Sequence, residues 1–178
     1  MRRALLVLLA ACAAAPPPVA PARGAAAATV LFFVTTDCPI ANAYAPEIAA
    51  IAAEHAGDPL RFRLVHVDPD LTLDQARQHA AEYGLERLEL ILDGDHTLVA
   101  VSGISVTPEV AVWTGGEPGS PTARLAYRGR IDDSFPDLGD RRPEPAHREL
   151  RDALAAILTG GQVAVERTQA VGCDMPSR

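Results

Sequence analysis

The residues of this chain best suited to chemistry are its three cysteines, Cys12, Cys38 and Cys173. Cys38 comes shortly after an unbroken apolar run at 29–34, and Pro39, which follows it, suits the first position of a helix. A cysteine at a helix start faces unpaired backbone N–H groups and the positive end of the helix dipole, which together lower the pKa of its thiol. The pattern therefore predicts a reactive thiolate at Cys38; the alternative is an inert cysteine packed as a small hydrophobe.

The first 28 residues have the order of a secretory signal. A basic start precedes an apolar run at 4–15, a proline cluster and small residues at 24–28. This predicts export, to the periplasm or out of the cell, after cleavage near residue 28. Residues 9–12 alternatively resemble a bacterial lipoprotein box, which would leave a lipid anchor on Cys12. Either cleavage removes Cys12 from the free thiols of the mature domain, so that the other two cysteines remain as a pair.

The composition narrows the classes of function. The chain has 178 residues, 48% hydrophobic content and a formal net charge of −7, as expected for one globular domain. The acidic balance argues against non-specific nucleic-acid binding, which needs a basic surface. All sixteen basic residues are arginine, which excludes Schiff-base chemistry on lysine. The five histidines lack zinc-ligand spacing, and we expect neither a metal nor a cofactor.

Hydrophobic periodicity predicts the elements that must position Cys38. Strands and helices are predicted to alternate and to end in a hairpin and a last helix, at 29–34, 40–55, 60–67, 72–84, 88–92, 95–102, 110–113, 124–128 and 146–158. This order predicts an α/β fold with a central mixed sheet flanked by helices. The tail that follows, 161–178, carries Cys173.

The segment around Cys38 resembles the thioredoxin fold. There the attacking cysteine heads a helix that contains a proline eight residues later, which is the spacing of Cys38 and Pro46. Residues 106–112, which include Thr107 and Pro108, resemble the second hallmark of that fold, a cis-proline segment that lies against the cysteine. Together with the signal at 1–28, the resemblance implies a thioredoxin-like (redoxin) domain at 29–160, followed by the tail at 161–178.

Two departures separate the chain from thioredoxins. Ala41 stands where thioredoxins have a second cysteine, and Phe32 stands where they have a buried acid. Thr35, three residues before Cys38, instead resembles a threonine of the peroxiredoxins, which are thiol peroxidases. The peroxiredoxin motif also contains an arginine, for which this chain offers three candidates in space, Arg124, Arg128 and Arg130.

The resemblance implies an exported thiol-dependent oxidoreductase of the redoxin type, either a disulfide oxidoreductase or an antioxidant thiol peroxidase. Cys38 is the expected attacking thiolate and Cys173 the expected resolving cysteine. Thr35 and Pro108 complete the predicted catalytic group. The predicted substrate contacts are Pro39, Thr107 and Arg130. The expected partners are a protein or small-molecule disulfide, or a peroxide, and a thiol reductant; we expect no nucleic acid, and no membrane unless Cys12 carries lipid.

A second hypothesis requires no catalysis. The chain would then be a thioredoxin-like binding or metal-delivery module, in which a Cys38–Cys173 disulfide only ties the tail to the domain. Within the first hypothesis, Thr35 favours a peroxide substrate, whereas Thr107 and Pro108 favour disulfide exchange.

Overall fold

The computed structural model describes residues 27–177; Cys12 and the predicted signal up to residue 26 lie outside the described residues. The described part contains seven strands and four helices: β1 (Ala28–Val34), α1 (Pro39–Glu54), β2 (Leu60–His66), α2 (Leu73–Glu82), β3 (Glu89–Leu92), α3 (Thr97–Ser102), β4 (Val106–Thr107), β5 (Glu109–Thr114), β6 (Arg124–Gly129), α4 (Glu149–Leu158) and β7 (Cys173–Asp174). No helix among residues 27–177 is long and apolar enough to cross a membrane.

Five strands form one mixed sheet in the order β3-β2-β1-β5-β6. β1, β2 and β3 are parallel, whereas β5 pairs antiparallel with both β1 and β6. This confirms the predicted α/β class with a central mixed sheet. The last helix begins at Glu149 instead of residue 146, because the backbone N–H of His147 donates to Asp133 Oδ1 (2.9 Å) and holds the preceding residues in a loop.

β1 is buried on both faces of the sheet, which explains its unbroken apolar sequence. Val30, Phe32 and Val34 point into a core that includes α1 and α4, while Leu31 and Phe33 point into a second core that includes α3. β1 is therefore packed on both faces, and the loop that carries Cys38 begins at the end of this buried strand.

The tail lies along the domain as an ordered segment. Arg128 of β6 donates its backbone N–H to the carbonyl of Glu166 and accepts from the N–H of Thr168, both at 3.0 Å. Farther on, β7 pairs antiparallel with β4, and Cys173 lies opposite Thr107. The tail is thus hydrogen-bonded to the domain at two separate places.

Candidate active site

Cys38 is the N-cap residue of α1, directly before Pro39 at the first helical position. The backbone N–H of Ala41 donates to Cys38 Sγ (3.4 Å), and the N–H of Asn42 donates to the Cys38 carbonyl (3.0 Å). The sulfur therefore accepts one of the N–H groups that a helix leaves unpaired at its start. The structure places Cys38 at the helix start, as the sequence predicts.

A disulfide joins Cys38 to Cys173, 135 residues later in the chain, with the Cα atoms 6.0 Å apart. Cys38 is 1% exposed in this oxidised state, whereas Cys173 is half-buried. The two cysteines therefore pair within a single chain. The tail carries the second sulfur to the position where the helix start presents the first.

The segment 106–108 forms the other wall of this site. The Thr107–Pro108 peptide bond is cis, and the Thr107 carbonyl oxygen lies 3.1 Å from Cys38 Sγ. The buried hydroxyls of Thr35 and Thr107 are hydrogen-bonded to each other at 3.3 Å. Cys38 and Cys173 thus form the disulfide beside Thr107 and Pro108, and Thr35 joins this group through its bond to Thr107.

The three candidate arginines are engaged by carboxylates. Arg130 donates from Nε to Glu149 Oε1 (3.1 Å), and Arg124 pairs at the surface with a glutamate of the tail. Arg128 Nε lies 3.1 Å from Oε1 of Glu109, which directly follows Pro108 and is 2% exposed. The Arg128 pair therefore supports the start of β5, directly after the cis proline.

Gly172 is a residue of the site that sequence reasoning missed. A Cβ at this position would overlap the Thr107 carbonyl group and would lie 3.2 Å from the Pro108 nitrogen. The tail can therefore approach the cis peptide closely only with glycine next to Cys173. The Gly-Cys pair in an otherwise irregular tail is the signal that could have indicated this contact.

Comparison with solved structures identifies the fold. A hypothetical protein from Sinorhizobium meliloti 1021 is 22% identical, with a TM-score of 0.69 over 84% of this chain and 79% of that one. An uncharacterized conserved protein from Geobacillus kaustophilus is 22% identical, with a TM-score of 0.71 over 86% and 78%. A thioredoxin-like protein in the oxidized form is 17% identical, with a TM-score of 0.51 over 76% and 80%. The chain has a thioredoxin-like fold. No protein-family model and no curated protein matches it.

Within this thioredoxin-like fold, the loop that carries Cys38 is held from two sides. Asp68 accepts the backbone N–H of Thr36 at 3.2 Å, and the Asn42 side chain donates to the Thr36 carbonyl at 3.1 Å. Burial and the nearby Asp37 raise the pKa of Asp68, although its bond from the Thr36 N–H works against that rise. The backbone before the cysteine is thus fixed at both its donor and its acceptor.

Two histidines, one on β2 and one on α2, are buried. His66 ends β2 and is fully buried, and His79 lies on the inner face of α2 between Ala76 and Ala80. Burial and the neighbouring His79 lower the pKa of His66 to about 4, and burial also lowers that of His79. Helical spacing could have indicated the inward position of His79. Among residues 27–177, no group of three or more potential ligands is placed to hold a metal ion.

Proposed function

We propose that this protein is a thiol-disulfide oxidoreductase in which Cys38 attacks and Cys173 resolves. The observation that carries the proposal is the position of the disulfide: it joins a helix N-cap to the tail directly beside the cis Thr107–Pro108 peptide. A bond that only fastened the tail could lie at many places on the surface. This bond lies where a released sulfur would be a stabilised thiolate.

The reaction is a two-electron exchange. The reduced Cys38 thiolate attacks one sulfur of a substrate disulfide, forms a mixed disulfide with it and releases the other sulfur as a thiolate. The Cys173 thiolate then attacks the Cys38 sulfur, releases the second substrate thiol and forms the Cys38–Cys173 disulfide seen here. The protein dithiol is oxidised and the substrate disulfide is reduced, so an external thiol must reduce the protein before the next turnover.

Two contacts have opposite effects on the balance between the thiolate and the protonated thiol of Cys38. The Ala41 N–H, which already points at Cys38 Sγ, favours the thiolate together with the helix dipole. The Thr107 carbonyl, 3.1 Å away, can accept from the protonated thiol but repels a thiolate. The proposed role of Thr107 is therefore to keep the thiol partly protonated, and Thr35 orients Thr107 through the bond between the two hydroxyls.

The proposed location is outside the cytoplasm. Residues 1–28 would act as the export signal, the domain would span 29–160, and the tail after it would supply Cys173. An oxidising compartment favours the disulfide form of the pair between turnovers. Pro39, which is exposed beside Cys38, is the proposed residue of the domain that substrate contacts first.

The proposal is tested by insulin reduction with dithiothreitol as the electron donor, in a Cys12→Ser background that retains only the site pair. We expect the parent protein to accelerate the reduction, Cys38→Ser to abolish the acceleration, and Cys173→Ser to be slower than the parent, because dithiothreitol must then release the substrate from Cys38. Activity that survives in Cys38→Ser contradicts the mechanism. Hydrogen peroxide consumption without insulin reduction would identify a peroxidase, and inactivity in both assays would identify a non-catalytic module.

A further inference from the structure

A chain of hydrogen bonds, buried at its inner end and partly buried at its outer end, connects the end of β2 with the loop before Cys38. His66 Nε2 lies 3.0 Å from His79 Nδ1, and His79 Nε2 lies 3.0 Å from Asn42 Oδ1. The Asn42 amide then donates from Nδ2 to the Thr36 carbonyl at 3.1 Å. The chain crosses three elements, β2, α2 and α1. The proposed mechanism uses none of these side chains.

The direction of every bond in this chain follows from the Thr36 carbonyl. A carbonyl only accepts, so Asn42 must present its NH2 group to Thr36 and its oxygen to His79. His79 then carries its proton on Nε2, and its neutral ring accepts at Nδ1 from His66. His66 Nδ1 is left without a hydrogen-bond partner among residues 27–177. Donation therefore runs one way, from His66 toward the loop.

Asn42 holds the backbone on both sides of Asp37. Its own N–H donates to the Cys38 carbonyl at 3.0 Å, while its side chain holds the Thr36 carbonyl. His79 keeps the Asn42 amide from rotating, because a rotated amide would present its NH2 group to the Nε2 donor. The orientation of Cys38 Sγ toward the Ala41 N–H depends on this backbone.

We propose that Asn42 and His79 are positioning residues for Cys38, which hold the loop so that its sulfur keeps the N–H of the helix start. This inference rests on the proposed function only for its importance in turnover. The pKa of the Cys38 thiol in the reduced protein, on which the proposal depends, can be measured without any substrate.

Glutamine and leucine separate the two possible roles of His79. A glutamine can supply an amide donor in place of Nε2–H and an amide oxygen in place of Nδ1, whereas leucine fills space without either. In a Cys12→Ser, Cys173→Ser background, Cys38 is the single thiol, and the pH dependence of its alkylation by iodoacetamide reports its pKa. Loss of the Ala41 N–H bond from the Cys38 thiolate corresponds to a rise of about 0.7 pH unit in the midpoint of alkylation.

We expect that rise, and alkylation about fivefold slower below the midpoint, in His79→Leu and in Asn42→Ala, with His79→Gln close to the parent. Ala80→Gly, which weakens α2 beside the chain of bonds, is the control for general destabilisation. An unchanged midpoint in Asn42→Ala, a glutamine variant that behaves as leucine, or the same shift in Ala80→Gly overturns the proposal. Inactivity toward insulin with the expected midpoints would refute the proposed function alone.

Discussion

Acidification should destabilise this protein through His66. The ring is fully buried, and burial together with His79 lowers its pKa from 6.5 to about 4. In the unfolded chain the ring takes up a proton near its ordinary pKa, so between these two values the unfolded state binds more protons than the native state. In this range, each lowering of the pH by one unit reduces the free energy of unfolding by about 1.4 kcal/mol. From pH 7 to 5, His66 alone removes about 2 kcal/mol.

Two neighbouring titratable groups also contribute to the pH dependence of the free energy of unfolding. The lowered pKa of His79 acts in the same direction, because its native ring also resists protonation. The raised pKa of Asp68 acts oppositely, because the native carboxyl takes up its proton at a higher pH than the unfolded one. The difference between the parent and a His66 variant over the same pH range therefore isolates His66, because both proteins contain Asp68.

Urea unfolding of the oxidised protein at pH 7, 6 and 5 measures this effect. We expect His66→Asn to be less stable at pH 7 but to lose about 2 kcal/mol less than the parent between pH 7 and 5. His147→Asn, at a solvent-exposed histidine, is the control and should follow the parent. Equal pH dependence in His66→Asn and the parent would refute the assignment of the acid sensitivity to His66.

Three further outcomes follow from the contacts of the tail and of the strand after the cis proline. Gly172→Ala introduces overpacking of about 1–3 kcal/mol, so dithiothreitol should reduce its disulfide roughly tenfold faster, while Gly57→Ala, at a position with open space, should match the parent. Reduction of the Cys38–Cys173 bond, which closes a loop of 135 residues, should lower the free energy of urea unfolding by about 5 kcal/mol on the chain-entropy account. Glu109→Gln removes the buried carboxylate that faces Arg128, whose guanidinium then keeps only its bond to the Gly103 carbonyl, and should cost about 3 kcal/mol of stability by the same assay. Changes below about 0.5 kcal/mol, the usual scatter of surface substitutions, would contradict either stability prediction.

The parts of the site that depend on local sequence were predictable. Cys38 follows a strongly apolar strand and precedes a proline suited to a helix start, so its place at the N-cap follows from neighbours within a few residues. Thr107 and Pro108 were located by resemblance to the cis-proline segment. The helix predicted at 72–84 is present as α2, and the capping box between Thr72 and Gln75 holds its start.

The parts that depend on distant contacts were not predictable from the pattern. β7 is two residues long and has no periodicity, so its pairing with β4 depends on a disulfide to a cysteine 135 residues away. The burial of His66 was not predictable, because the side chain that accepts its hydrogen bond, His79, belongs to another element. Arg130 donates to Glu149, and spacing along the chain does not indicate which carboxylate its long side chain reaches.

The central claim is that Cys38 attacks a substrate disulfide and Cys173 releases it. Reduced Cys173→Ser protein, in the Cys12→Ser background, is mixed with glutathione disulfide, quenched with acid and mapped by mass spectrometry. We predict one glutathione on Cys38 that persists until dithiothreitol is added, whereas the protein with both site cysteines returns to the Cys38–Cys173 disulfide without a retained adduct. A Cys38 that stays unmodified, while Cys173 of the Cys38→Ser variant reacts at the rate of a free thiol, would contradict the account.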